Sequence, residues 1–327
     1  MSARPPSGAA AGAKATPMLH LAAGDLRAEV SAQWGGSIAA FFTQQDGQER
    51  IDWLRPAPAG NEAVRLMASF PMVPFCNRLR EGRGDYGPRP VALGPEHDGS
   101  IHRRHGLAWR LPWQIEAQSD SAVRLGLHCA AGEWPYTFAC RQDIALDARH
   151  GLTLMLSVTN HDTVPMPLGM GHHCFLPGAA GARMALDTDA MWETDAEVLP
   201  TALARPPWLP ALAAGIGVAG LRVDNTFTGW RGTARVTWPG RGVGLAMAAS
   251  QPLDMVTLFT PPGQDFFCIE PVSNVADWMH LRQRGLPHTG GELLAPGATR
   301  SATLRLTPLL DMAPAAPSVH SRGQPAG

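Results

Sequence analysis

Lysine is almost missing from this chain. Lys14 is the only one, so arginine carries the positive charge, and Lys plus Arg number 27 against 28 Asp plus Glu. The formal net charge of −1 leaves no basic excess for nucleic acid or for an anionic membrane surface. Long apolar runs are missing too. No stretch approaches the roughly 18 uncharged apolar residues that a membrane span needs, and the opening "MSARPPSGAAAGAKATP" has no apolar stretch of the kind a signal peptide carries. Cys76, Cys129, Cys140, Cys174 and Cys268 are widely scattered and form no Cys-x-x-Cys pair. Reduced thiols and a cytoplasmic location are the expectation. There is no GxxxxGK[ST], no GxSxG and no GxGxxG between a strand and a helix, so phosphate-loop, nucleophile-elbow and dinucleotide chemistries have no foothold.

Glycine (35) and proline (30) are plentiful, and no long helical periodicity appears. Period-two alternation does. Val123, Leu125, Leu127 and Cys129 share one face, as do Leu152, Leu154, Leu156 and Val158. Ala234, Val236 and Trp238 repeat the pattern, and so do Ala302, Leu304 and Leu306. This alternation marks half-buried strands of antiparallel sheets. The continuous runs "MVTLF" (255–259) and "FFCI" (266–269) suit strands buried on both faces. Turn sequences such as "DGQE", "PGRG" and "PPGQD" separate the strands. Residues 85–105 and 200–220 lack periodicity and are expected to be long loops. The pattern predicts an all-β chain: one large antiparallel β-sandwich over 18–311 with long loops and little helix. Residues 1–17 and 312–327, rich in Pro, Ala, Gly and Ser, are expected to be disordered tails.

Polar and titratable residues interrupt apolar sequence at five places. They are "PMVPFCNRLREG" with Asn77 and Arg78, "RRHGLAWRLPW" with His105, "MPLGMGHHCFLP" with His172 and His173, "RVDNTFTGW" with Asp224, and "FFCIEPVSN" with Glu270. Singly, each has an ordinary structural explanation. Together, and beside Trp109, Trp113 and Trp230, they provide what a sugar pocket needs: many hydrogen-bonding groups and apolar faces on which a sugar ring can stack. A Glu and a His can also serve as base and acid. No metal site is expected. Neighbouring strand residues face opposite ways, so His172 and His173 would not share an ion.

These five stretches, in this order from about Leu19 to Leu310, resemble the aldose 1-epimerases, the galactose-mutarotase-like enzymes. The resemblance implies a galactose-mutarotase-like supersandwich and catalysis without a cofactor. It implies Glu270 as general base and His173 as general acid, with His172 the alternative. It implies His105 near the reacting centre, and Arg78 and Asp224 as sugar ligands. Asn77 from the same motif, with Trp109 and Trp230 as stacking faces, completes the candidate set. The expected partner is a free aldose such as galactose, glucose or arabinose, and the expected assembly is a monomer or homodimer. Arg80, Arg83, Arg103 and Arg104 leave open a hexose phosphate as substrate. A non-catalytic sugar-binding protein on the same fold is a further alternative. The run "FFCI" is expected to form a rigid, dry strand that Pro271 ends, holding Glu270 at the cleft floor.

Overall fold

The structure is a computed structural model, and it describes residues 18–61, 63–96 and 98–310. The tails expected at 1–17 and 312–327 lie outside the described residues. Two large antiparallel sheets dominate, of eleven and nine strands. Their apolar faces merge in a single hydrophobic cluster.

The nine-stranded sheet is built from the alternating segments. Its centre runs Ala122–Cys129, Phe138–Asp147, Gly151–Asn160, Thr299–Leu309, Val243–Ala249 and Thr233–Trp238. The inward positions Leu152, Leu154, Leu156, Val158, Leu304 and Leu306 are fully buried. The outward positions carry paired hydroxyls, Ser157 with Ser301 and Thr159 with Thr299, each 2.8 Å apart. Period two is therefore literal here: one face meets the core and the other meets water.

The eleven-stranded sheet is different. Its central strands are Ser69–Met72, Gly171–Pro177, Phe266–Val272, Met255–Phe259 and Asp224–Thr228. Residues 266–272 are buried almost throughout, because loops from elsewhere in the chain cover the outer face. The most important cover is the segment 73–110, folded into two small ribbons, Arg78–Leu79 with Arg103–Arg104 and Arg83–Gly84 with Val91–Ala92. Gly106 lets that cover close down. Its φ is +70°, and a Cβ there would sit 2.1 Å from the Val73 carbonyl oxygen.

Two expectations need correction. Pro271 does not end its strand, which continues to Val272. Proline has no N–H to give to a ladder, and the pairing with the neighbouring strand is interrupted there. Cys174 lies opposite Ile269 and Gly171 opposite Val272, with no pairs between. Glu270 thus sits inside a sheet at a gap in its ladder, not at a strand end. The second correction concerns residues 200–220, which contain the strand Pro200–Ala204 and the short helix Leu209–Ala214. Proline occupies the helix's first turn, where it costs no hydrogen bond, and Gly215 at φ 112° follows its end.

Candidate active site

The strand Gly171–Pro177 lies between Ser69–Met72 and Phe266–Val272. Alternation puts His173 and Phe175 on the covered outer face, and Cys268 and Glu270 reach the same face from the next strand. On the other side His173 is the register partner of Phe70. One strand further along, Thr257 pairs with Glu270, and Phe259 pairs with Asp224. The covering segment brings Asn77, Arg78, Arg104 and His105 down over this patch. Together with Arg65, these residues enclose a cavity of about 250 Å³ lined by Phe70, Phe175, Phe259, His173, Asp224 and Glu270. That is room for a monosaccharide-sized ligand, near the small end of ligand pockets.

Inside it, His173 Nε2 stands 3.3 Å from Glu270 Oε1. The His105 and His173 rings meet edge to face at 5.2 Å. Arg78 donates to Asn77 Oδ1 at 3.1 Å and lies 3.6 Å from the Asp224 carboxylate. Asn77 and His105 both adopt positive φ, 57° and 60°, a backbone that non-glycine residues use sparingly. The two residues hold each other through a 2.9 Å bond from the His105 N–H to the Asn77 carbonyl.

Desolvation governs the electrostatics. Burial drives the Glu270 carboxyl well above the usual range, Asp224 pushes it further up, and Arg78 opposes both. Burial raises Asp224 too, with Arg78 pulling it back. Burial lowers His173 to about 3, helped by Arg55, and takes His105 well below its ordinary value, helped by His173 and nearby arginines. Water cannot stabilise separated charges at these positions, so the neutral forms gain. A free imidazolium at His173 is thereby disfavoured. Both shifts favour a neutral pair, with the proton on the Glu270 carboxyl.

Seven of the nine sequence-derived candidates or their alternatives bear on this cavity or its wall, and two do not. Glu270, His173, His105, Asn77, Arg78 and Asp224 all line it. Trp109 lies behind the wall, stacked on Phe70 at 5.1 Å, with its indole donating to the Arg104 carbonyl. His172 points to the opposite face and is buried at 1% exposure. Trp230 is also buried, and its indole donates to the Thr233 carbonyl. It follows the far end of the strand that begins with Asp224, and at about 3.3 Å per residue it cannot face the same cavity. Tryptophans therefore supply no stacking face; Phe70, Phe175 and Phe259 do.

Sequence reading missed these phenylalanines and Arg65, because tertiary neighbours brought together by strand register and by the turn Val64–Leu66 have no mark in the sequence. It also missed a clamp. Asn274, four residues beyond Glu270, is fully buried and accepts a bond from the Cys76 N–H at 3.0 Å while donating to the Cys76 carbonyl. Asp277 donates its N–H to the Arg78 carbonyl at 2.6 Å, and its carboxylate holds the Arg80 N–H and guanidinium. The segment carrying Glu270 thus fixes the backbone of Asn77 and Arg78. Gly169 is needed beside it, since a Cβ there would lie 1.9 Å from Asn274 Oδ1.

Two sheets, a covered outer face and this constellation define a galactose-mutarotase-like β-sandwich. The aldose 1-epimerase profile matches residues 17–307, and the chain belongs to that family. The uncharacterised protein YphB of Escherichia coli K12 is 29% identical over 305 residues, covering 88% of this chain and 97% of YphB. A crystal structure of a candidate aldose 1-epimerase from E. coli K12 superimposes with a TM-score of 0.79 at 27% identity, covering 90% and 99% of the two chains. A galactose mutarotase-like protein from Clostridium acetobutylicum gives 0.76 at 18% identity over 89% and 94%, a likeness of fold. Among the described residues no helix is long and apolar enough to cross a membrane.

Proposed function

We propose that this protein is a cofactor-independent aldose 1-epimerase acting on a free monosaccharide. The supporting observation is the His173–Glu270 contact of 3.3 Å in the wall of a monosaccharide-sized cavity. Interconverting α and β anomers requires a base at the C1 hydroxyl and an acid at the ring oxygen. Both oxygens are bonded to the same carbon, so two groups this close can address them together. Glu270 takes the hydroxyl proton, His173 protonates the ring oxygen, and the C1–O5 bond opens. Rotation about C1–C2 and closure on the other face complete the reaction, each positioned group contributing about 10²–10⁴-fold.

The productive form carries the proton on His173. It differs from the neutral pair by one proton transfer between Oε1 and Nε2. Sugar hydroxyls and the Arg78 guanidinium, both donors, favour the carboxylate on Glu270. His105, Arg78, Asn77 and Asp224 bind hydroxyls, and the phenylalanines face the apolar side of the ring. The five cysteines are unpaired and buried, which supports a cytoplasmic location.

A phosphorylated hexose is the second reading, and Arg65 and Arg104 in the cavity wall favour it. The other arginines do not. Arg80 is bound to Asp277, Arg103 to Glu133, and Arg83 is exposed. Arg65 and Arg104 themselves share Asp98.

The deciding experiment follows the optical rotation of freshly dissolved α-D-galactose, α-D-glucose and L-arabinose, against a Glu270→Gln control. Faster mutarotation by wild type alone is expected. Response to hexose 6-phosphates only would transfer the function to the second reading. No response to either would leave a sugar-binding protein.

A further inference from the structure

Cys268 lies on the face of the strand that carries Glu270, two residues away, and the acid–base scheme gives it no work. Its Sγ, a His173 ring nitrogen and a Glu270 carboxylate oxygen all lie within 4.8 Å of one another, and all three residues are buried. These are the three donor types that bind zinc: thiolate, imidazole and carboxylate. At metal–ligand distances of about 2.0–2.2 Å, tetrahedral nitrogen and oxygen donors stand about 3.3 Å apart, which is the His173–Glu270 separation observed.

We propose that this triad is a binding site for a thiophilic divalent cation of the zinc type, and that the cation blocks sugar turnover by capturing the acid and the base. The first half stands on the geometry alone. The second half rests on the epimerase reading.

Binding is a simple exchange. The Cys268 Sγ–H and Glu270 O–H bonds break, both protons go to solvent, and Sγ, the carboxylate and the neutral His173 nitrogen bond to the cation; no oxidation state changes. Burial and the neighbouring Glu270 keep Cys268 a thiol in the free protein, so the cation replaces a proton and does not meet a free thiolate. Charges nearby act in both directions. Asp224 favours the cation, and it already matches Arg78 at 3.6 Å. Arg55 opposes it, lying over the Phe175 and Phe266 rings at 4.0 and 4.6 Å. His172 faces away from the triad and adds no further ligand.

The test uses the full chain, freed of metal with EDTA and titrated with Co²⁺ as a coloured substitute for Zn²⁺. A thiolate-to-cobalt charge-transfer band should appear with one equivalent and vanish on adding Zn²⁺. Cys268→Ser should weaken Co²⁺ binding by more than about 100-fold, since even outer-layer changes at metal sites cost about 10–100-fold. Glu270→Gln should weaken it as well, which provides a second variant if the first is misfolded by circular dichroism. Cys174→Ser should retain the band, because Cys174 is turned away toward Ser69. A missing band in wild type, or one that survives Cys268→Ser, overturns the site. In the parallel assay, Zn²⁺ should stop mutarotation by wild type, EDTA should restore it, and Cys268→Ser should resist. Equal Zn²⁺ sensitivity in that variant overturns the inhibition. A wild type that shows the band but never mutarotates refutes the epimerase reading and leaves the cation site standing.

Discussion

The two sheets obey different rules. In the nine-stranded sheet the central strands keep one face in the core and one in water, so most polar side chains sit outside, with Gln142 and Asn160 the buried exceptions. In the eleven-stranded sheet the central strands are covered on both faces, and polar side chains are trapped between strand and cover. Thr226, Thr257, His173 and Glu270 are all under 9% exposed. The same hydrogen-bonding groups thus have opposite energetic weight. On the open sheet they are solvated and replaceable. On the covered sheet each must be paired or carry a shifted proton affinity.

The sharpest break in this contrast should come from Glu270→Gln or His173→Asn. Each is expected to lower kcat by about 10²–10⁴-fold with unfolding curves near those of wild type, as measured by polarimetry and circular dichroism. His172→Asn, one residue away on the other face, should stay well short of about 10²-fold. A collapse there would exchange the two histidines.

Asn274→Ala comes next. It orphans the Cys76 N–H, a loss of about 1–3 kcal/mol in denaturant unfolding. It should also raise KM more than it lowers kcat, because it loosens Asn77 and Arg78 without touching Glu270. An unchanged KM would show that the clamp serves stability alone.

A smaller effect is expected at the rim of the molecule, where Arg89 holds the Asp162 carboxylate through bonds of 2.7 and 2.8 Å. That pairing keeps Asp162 well below the usual carboxylate range, with the Thr137 and Thr163 N–H groups helping. Its stabilising contribution is therefore present above the unfolded value of about 3.9 and lost as pH falls through the depressed folded value. Asp162→Asn should remove that loss and flatten the acid limb of the stability curve, measured by urea unfolding between pH 5 and 2.

The smallest effect belongs to the open sheet. Ser301→Ala breaks the Ser157 pair yet should shift stability by no more than about 0.5 kcal/mol. A larger loss would mean that the two sheets are less different than their burial suggests.

The open sheet was legible because a half-buried strand writes its two faces into alternate residues. Leu152 to Val158 and Ala302 to Leu306 announced themselves in this way. The covered sheet was legible only as apolar runs, "MVTLF" and "FFCI", interrupted by residues that looked misplaced. Those interruptions and their counterparts in the cover line the cavity: Glu270, His173, His105, Asn77, Arg78 and Asp224 stand out in the sequence as polar groups within apolar surroundings. The tryptophans misled, because a large aromatic residue announces burial but not what it is buried against. Trp230 proved to be core and Trp109 a backing layer.

The sequence by itself determined the alternating strands, the fold class and most titratable members of the cavity, Arg65 excepted, since those depend on local period and residue chemistry. Only the tertiary structure decided who stands beside whom. Cross-strand register put Phe70 next to His173 and Phe259 next to Asp224, and placed Cys268 within reach of both catalytic candidates. Pro271 shows the same division. Its sequence position predicts a break in hydrogen bonding, and the structure shows that break as a gap inside a continuing strand. The reason is that hydrogen bonds between strands link residues far apart in the chain, and their register is set by packing of the whole core.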